Sequence, residues 1–561
     1  EAVTDDTIDI YVAGAKDFSI TANSFNVLTG SSVSLADECV LNIGTGNDLQ
    51  IAHDGNNSSI KDTGTGSLII QTNSFELKNA AGNESLLLGT EDGAVNLYHN
   101  NAVKLATTAS GVTITGDAGA TTFNGIPFHL NNDDDSSSIY THDVSGTDSL
   151  ARGNTAYGIA ALDAVTTGDG NTAIGNGSLS ASNTGVENTA LGKAAMNVST
   201  TASYNVAIGN NSGSAMTEGD LYNTLIGHSS GAAITTGGHN LMIGYQAGDG
   251  FDAETNNLGI GEAALGGAIN GGEFNVAVGN NSLDALTSAD KTTAVGYGSG
   301  TGLTTGSLNT FMGFEAAKAI TSGARNVIIG NAAADAATTP DRSVIIGDGA
   351  CGIGVLTGND NIVMGGDAGA NMTSAAGNIC FGFESGNDLT EGGFNTFIGY
   401  QAGAAMTTAG DQVAIGFQAL ETSDTESNNT AIGKNVLRLA NGGGEFNVGI
   451  GNSALDALTS ADNNTAVGQG AGSAITTGGN NVIVGKDAAL TGVAAANNVI
   501  IGQDAAKAMG TGDVTGNVII GAGAVDTGVL TGVNNVVIGK LAGQDMTSAD
   551  ANVIIGEDAG K

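Results

Sequence analysis

Asn171-Thr172-Ala173-Ile174-Gly175, Asn188-Thr189-Ala190-Leu191-Gly192, Asn205-Val206-Ala207-Ile208-Gly209 and Asn223-Thr224-Leu225-Ile226-Gly227 are successive copies of one five-residue core. Counted from Asn154 to Asn552 the core occurs 24 times, and its 23 steps cover 398 residues, a mean of 17.3. Nearly every step is 17 or 18; the one exception is the 19 from Asn498 to Asn517. So regular a period identifies a solenoid of stacked coils.

Each column of the repeat has a physical reading. The core closes on Gly in all 24 units, including Gly399 and Gly556, and opens on Asn in 21, including Asn395 and Asn552; Thr292, Ser343 and Gln412 are the exceptions. Ala or Ser follows the Gly by three residues in 23 units, Val436 being the outlier. The intervening residues are β-branched or aliphatic without alternation, as in Val327-Ile328-Ile329. That is strand composition with both faces covered, one by the coil interior and one by a neighbour. The Gly suits a corner of positive φ or close backbone approach. The small residue suits a tight interior bend. The Asn can bond its own turn and stack on the Asn of the next coil as an amide ladder. The predicted fold is therefore all-β, an elongated solenoid (parallel β-roll or β-helix) of about 17 residues per coil. At about 4.8 Å per coil, 24 coils give a rod on the order of 115 Å long.

The chain has 561 residues with 90 Gly, 2 Pro and no Trp, which excludes collagen-like and disordered classes. Its formal charge of −40, from 16 Lys plus Arg against 56 Asp plus Glu, argues against nucleic acid and anionic membranes as partners. No stretch approaches the ~18 uninterrupted apolar residues of a membrane span. Residues 1–20 lack the pattern of a signal peptide, and Glu1 in place of an initiator Met suggests a trimmed chain. Cys39, Cys351 and Cys380 are odd in number and widely separated, so each reads as a small buried apolar residue.

A longer period overlies the short one. Glu273-Phe274-Asn275 and the LDALTSAD run at Leu283 recur 172 residues later as Glu445-Phe446-Asn447 and the same run at Leu455, and the same offset links Asn223 to Asn395. A ten-coil block has been duplicated in tandem. Before the coils, residues 1–130 carry short strand-like runs (Asp9–Val12, Ser67–Ile70, Val112–Thr115) between Gly, Asn and Asp turns. Residues 131–153 form an Asp/Ser/Gly-rich joint, and residues 154–561 form the solenoid.

Two resemblances follow from these residues. Ile8 to Val27, IAHDG from Ile51, GTGSLIIQ from Gly64, VNLYHN from Val95 and LATTASGVTITG from Leu105 resemble the shaft segments of marine bacteriophage tail fibres. The coils resemble repeats of other phage tail fibres and, more loosely, the heads of trimeric autotransporter adhesins. The resemblance implies a homotrimer, other virion tail proteins and a host-surface glycan or protein receptor as partners, and a place on the virion tail or an extracellular surface. Many such fibres end in a self-cleaving chaperone domain, so its removal is an expectation here.

Gly300-Thr301-Gly302 and its like lack the Lys-Ser/Thr of a phosphate loop and read as turns. The six histidines, among them His228 and His239, show no metal-ligand spacing. Asp133, Asp134 and Asp135 are candidates for Ca2+, against a solvated joint. Glu273 and Glu445 repeat through the duplication and describe the coil, not a catalytic pair. The expectation is a non-enzymatic fibre, with catalytic and cofactor-binding residues none. The alternatives are a bacterial surface adhesin or extracellular filament, then a glycan depolymerase on a β-helical scaffold, then ice binding through the Thr columns.

Overall fold

The computed structural model describes residues 8–12, 15–21, 24–27, 32–109, 111–115, 129–130, 139–140, 150–219 and 221–561. The chain divides into two compact units, Glu1–Gly119 and Ala120–Lys561. No helix occurs among the described residues.

The first unit holds three antiparallel sheets. Strands β1 (Ile8–Val12), β2 (Ala15–Thr21) and β3 (Ser24–Val27) form one, and β4 (Val40–Ile43), β5 (Leu49–His53) and β6 (Ser58–Asp62) another. Strands β7 (Ser74–Lys78), β8 (Ser85–Thr90), β9 (Val95–His99), β10 (Ala102–Thr108) and β11 (Gly111–Ile114) run in sequential order in the third. The strand expected at Ser67–Ile70 is not one. Its Leu68, Ile69 and Ile70 are exposed and pair with no strand, the next strand starting at Ser74.

In the second unit β12 (His129–Leu130) pairs antiparallel with β13 (Ile139–Tyr140), which pairs parallel with β14 (Thr155–Tyr157). From there 24 three-residue strands, β14 to β37 (Val553–Ile555), stack parallel and in register, one per coil. The expected parallel β-solenoid is present, with the expected spacing of about 17 residues. Its sheet begins with β12 and β13, before the first repeat, and Tyr140 is fully buried at that end.

The Gly column satisfies both expectations at once. Its φ is +132° at Gly175 and +148° at Gly347, and a Cβ on Gly175 would fall 2.5 Å from the carbonyl oxygen of Gly192 in the next coil. Only glycine fits between such carbonyls. Less expected are three further left-handed positions per coil that residues other than glycine often occupy. In the coil of Asn188 these are Ala194 (φ 56°), Met196 (φ 50°) and Tyr204 (φ 64°). Each costs of order 1–2 kcal/mol for an L-residue. Bonds between coils hold them: Met196 N–H donates to the Ser212 carbonyl and Ala194 N–H to that of Asn176.

Three interior columns share one volume. They are the middle strand residue, the residue four after the Gly, and the one three further on. Ala207 sits with Gly213 and Met216, Phe397 with Gly403 and Met406, and Ala414 with Leu420 and Ser423. A Cβ on Gly403 would approach the Phe397 ring to 2.8 Å, and one on Gly386 would approach it to 2.9 Å. The Phe397 ring thus fills the space of a missing side chain in its own coil and in the one before, and the Phe311 ring that above Gly300 in the coil before it, which keeps the core close-packed.

Candidate interaction surface

The Asn column is buried from Asn154 to Asn535 and half-buried at Asn552 in the last coil. Asn171 N–H donates to Asn154 Oδ1 (2.7 Å), and Asn171 Nδ2 donates to the Gly185 carbonyl (2.8 Å). Asn188 donates its N–H and Nδ2 to Asn171 Oδ1, both at 3.0 Å, and Nδ2 also to Ala202 O. Asn205, Asn223, Asn395 and Asn552 likewise bond the Oδ1 of the Asn one coil earlier. The ladder passes through Ser343 Oγ and Gln412 Oε1, which accept the N–H of Asn361 and Asn429. Thr292 breaks it: its hydroxyl turns back to the Asp290 carbonyl.

The outward surface is what remains for a partner. In every strand but the last, where Ile554 is half-buried, the middle residue is buried, and its two neighbours point outward, half-exposed or exposed, as in Val206-Ala207-Ile208. Within one chain the strands are therefore covered on one face. Across all 24 coils neither outward position carries a charge: the first is Thr, Val, Leu or Ile and the second Ile, Val, Leu, Met, Phe or Tyr. Leu191, Met312, Phe381 and Ile398 are among the exposed members.

Beside this band, the residue after the Gly builds aromatic stacks. Phe383, Tyr400 and Phe417 lie face to face with centroids 5.6 and 5.2 Å apart, and Lys434 Nζ caps the last ring at 5.4 Å. Tyr297 stacks on Phe314 (5.4 Å), and His228 on Tyr245 (5.5 Å). On the residue before the Asn column, Tyr204, Tyr222 and His239 form a third stack at 4.9 and 5.2 Å. The spacing is that of the coils, so rings in one column stack by default. Both histidines are thus placed in aromatic ladders on different columns.

Among the described residues no group of three or more His, Cys, Asp or Glu could hold a metal ion. Asp133, Asp134 and Asp135 lie outside the described residues. Glu273 and Glu445 hold equivalent places, their N–H groups donating to Asp290 and Asp462 at 2.8 Å. Cys351 and Cys380 are buried as expected, whereas Cys39 is exposed. Burial pushes the Cys351 thiol up to about 12 and the Cys380 thiol well above its ordinary value.

Sequence reasoning passed over Glu254 and Glu426, which are almost fully buried. Glu426 accepts the N–H of Asp424 (2.8 Å), Thr425 (3.1 Å) and Gly443 (2.8 Å), and Glu254 accepts those of Asp252 (2.7 Å) and Gly271 (3.0 Å). They hold two loops together from within. Their shared place in the duplication was the available signal.

No protein-family model and no curated protein matches the chain. No helix is long and apolar enough to cross a membrane among the described residues.

Proposed function

We propose that the chain is a non-catalytic structural and adhesive fibre that associates as a homotrimer and takes part in host attachment as a phage tail fibre or virion appendage. The observation that carries this reading is the uncharged outward strand band, kept through 24 coils of a chain whose formal charge is −40. A second acidic copy meets repulsion elsewhere but can lay the same band against this one and bury it. The first unit supports association independently. Between residues 32 and 115 no residue is buried among those described, although Leu41, Ile43, Ile51, Ile60 and Leu77 are apolar. Three- and five-stranded sheets with no covered face lack a core of their own, and other copies would supply it.

The attachment reading is tested by mixing the purified chain with cells of a bacterium and with its isolated surface polysaccharide. Expected is co-sedimentation with intact cells of a susceptible strain and no new reducing ends in the polysaccharide. Sustained release of reducing ends would replace the fibre reading with the depolymerase.

A further inference from the structure

Two columns border the strand band, the residue before the Asn and the residue after the Gly. In the coil of Asn188 these are Glu187 and Lys193, both exposed, and neither forms an ion pair among the described residues. In the coil of Ser343 they are Arg342, which pairs with Asp360 one coil on at 2.7 Å, and Asp348. In no coil do the two columns carry like charge. Apolar side chains coincide too: Leu308 shares a coil with Phe314, and Phe394 with Tyr400, all four being exposed.

This match is not made within one chain, because the two columns stand at opposite ends of the strand, about 20 Å apart when extended. It becomes a contact in a ring of three parallel chains whose bands face a common axis. There one edge of each band abuts the other edge of the next, coil against the same coil. Such a ring closes only without stagger, since a one-coil step at each contact would bring the chain back three coils out of place. A one-coil slip in one sense would also set Asp360 against Asp348. The band is too uniform to fix the register itself, its first outward position being Thr, Val, Leu or Ile throughout. It does supply area: about 115 Å by about 10 Å is on the order of 1,100 Å² per chain, above the ~800 Å² that one partner gives to a standard interface.

We infer that the band is covered by a second copy of this chain lying parallel and in register, the Lys193 column of one copy against the Glu187 column of the next. The inference rests on the homotrimer reading and adds to it which edges meet and what aligns them. The uncharged band supplies the buried surface, and the two bordering columns, complementary in charge and in apolar character coil by coil, set the register.

Charge reversal in the full chain, read by native mass spectrometry over a dilution series in low salt, tests it. Glu187→Lys should weaken the three-chain species by about tenfold or more, because it sets Lys against Lys193 at every contact. The sign is diagnostic: the same change lowers the net negative charge, which by itself would favour association. Lys193→Glu should also weaken the trimer. Adding Glu187→Lys to it should restore the original strength, whereas adding Glu262→Lys, the same change of charge four coils away, should not. The losses should shrink in high salt. A Glu187→Lys chain that associates as well as the original or better, or equal rescue by Glu262→Lys, would overturn the register while the trimer stands. A monomeric unaltered chain would overturn the homotrimer reading and the register with it.

Discussion

Asn395 donates both its backbone N–H and its side-chain amide to one atom, the Oδ1 of Asn378 in the preceding coil, each at 3.0 Å. The amide also donates to the Ala409 carbonyl at 2.9 Å. All of these groups are buried, so each loses water on folding and must find its partner in the stack. Asn395→Ala should therefore cost about 1–3 kcal/mol, measured as a lower urea midpoint. Asn395→Asp should cost at least as much, because it removes the amide donor and buries a charge.

The opposite sign is expected where the ladder is interrupted. Thr292 accepts nothing from Asn309, whose N–H has no side-chain acceptor of this kind among the described residues. Thr292→Asn should restore the bond and raise stability by about 1 kcal/mol. A thermal melt of the single variant decides it, and no gain would show that the ladder contributes little.

Replacing one Gly of the corner column should be among the most damaging single changes. Gly468→Ala forces a Cβ to within 2.5 Å of the Gly485 carbonyl oxygen at a φ of +140°. The stack must part or bend there, which points to a loss above about 3 kcal/mol. Limited proteolysis should then cut near residue 468 before any cut appears in the unaltered chain.

The shared interior volume predicts a compensating pair. Phe397→Ala should cost about 3–5 kcal/mol. Adding Gly403→Leu should recover a large part of it, because Ala414 with Leu420 shows the same combination one coil later. Leu420 has φ 51°, so leucine is accommodated at that left-handed position. A double-mutant cycle in urea reads the coupling directly; additive losses would contradict shared volume.

Thiol reactivity should separate the three cysteines. Cys39 is exposed, whereas Cys351, with a pKa pushed up to about 12, and Cys380, raised still more clearly by burial, stay protonated near pH 8. Only the thiolate reacts. Titration with a disulfide reagent should count one thiol in the folded chain and three in denaturant.

Much of this was legible in the sequence because a solenoid writes its structure into a period. Gly175, Asn188 and the strand residues between such positions recur on one spacing, and each recurrence has a steric or hydrogen-bonding cause. What could not be read was the left-handed backbone at Met196, Tyr204 and Leu420, since such residues ordinarily avoid it and only bonds between coils impose it. Nor did Glu254 and Glu426 announce themselves: a buried carboxylate looks like any surface acid until the loop N–H groups around it are known. Ser67–Ile70 was misjudged for a related reason. Its aliphatic composition is that of a strand, but a strand requires a partner, and that run pairs with no strand among the described residues.

The central claim is that the uncharged strand band, and the sheets of residues 32–115 in which no described residue is buried, are completed by other copies of the chain. Native mass spectrometry of the purified full chain, from low-salt buffer and across a dilution series, tests it most directly. The account predicts a species of three chains that persists to the lowest concentration, with no folded monomer. A stable, fully folded monomer would contradict it.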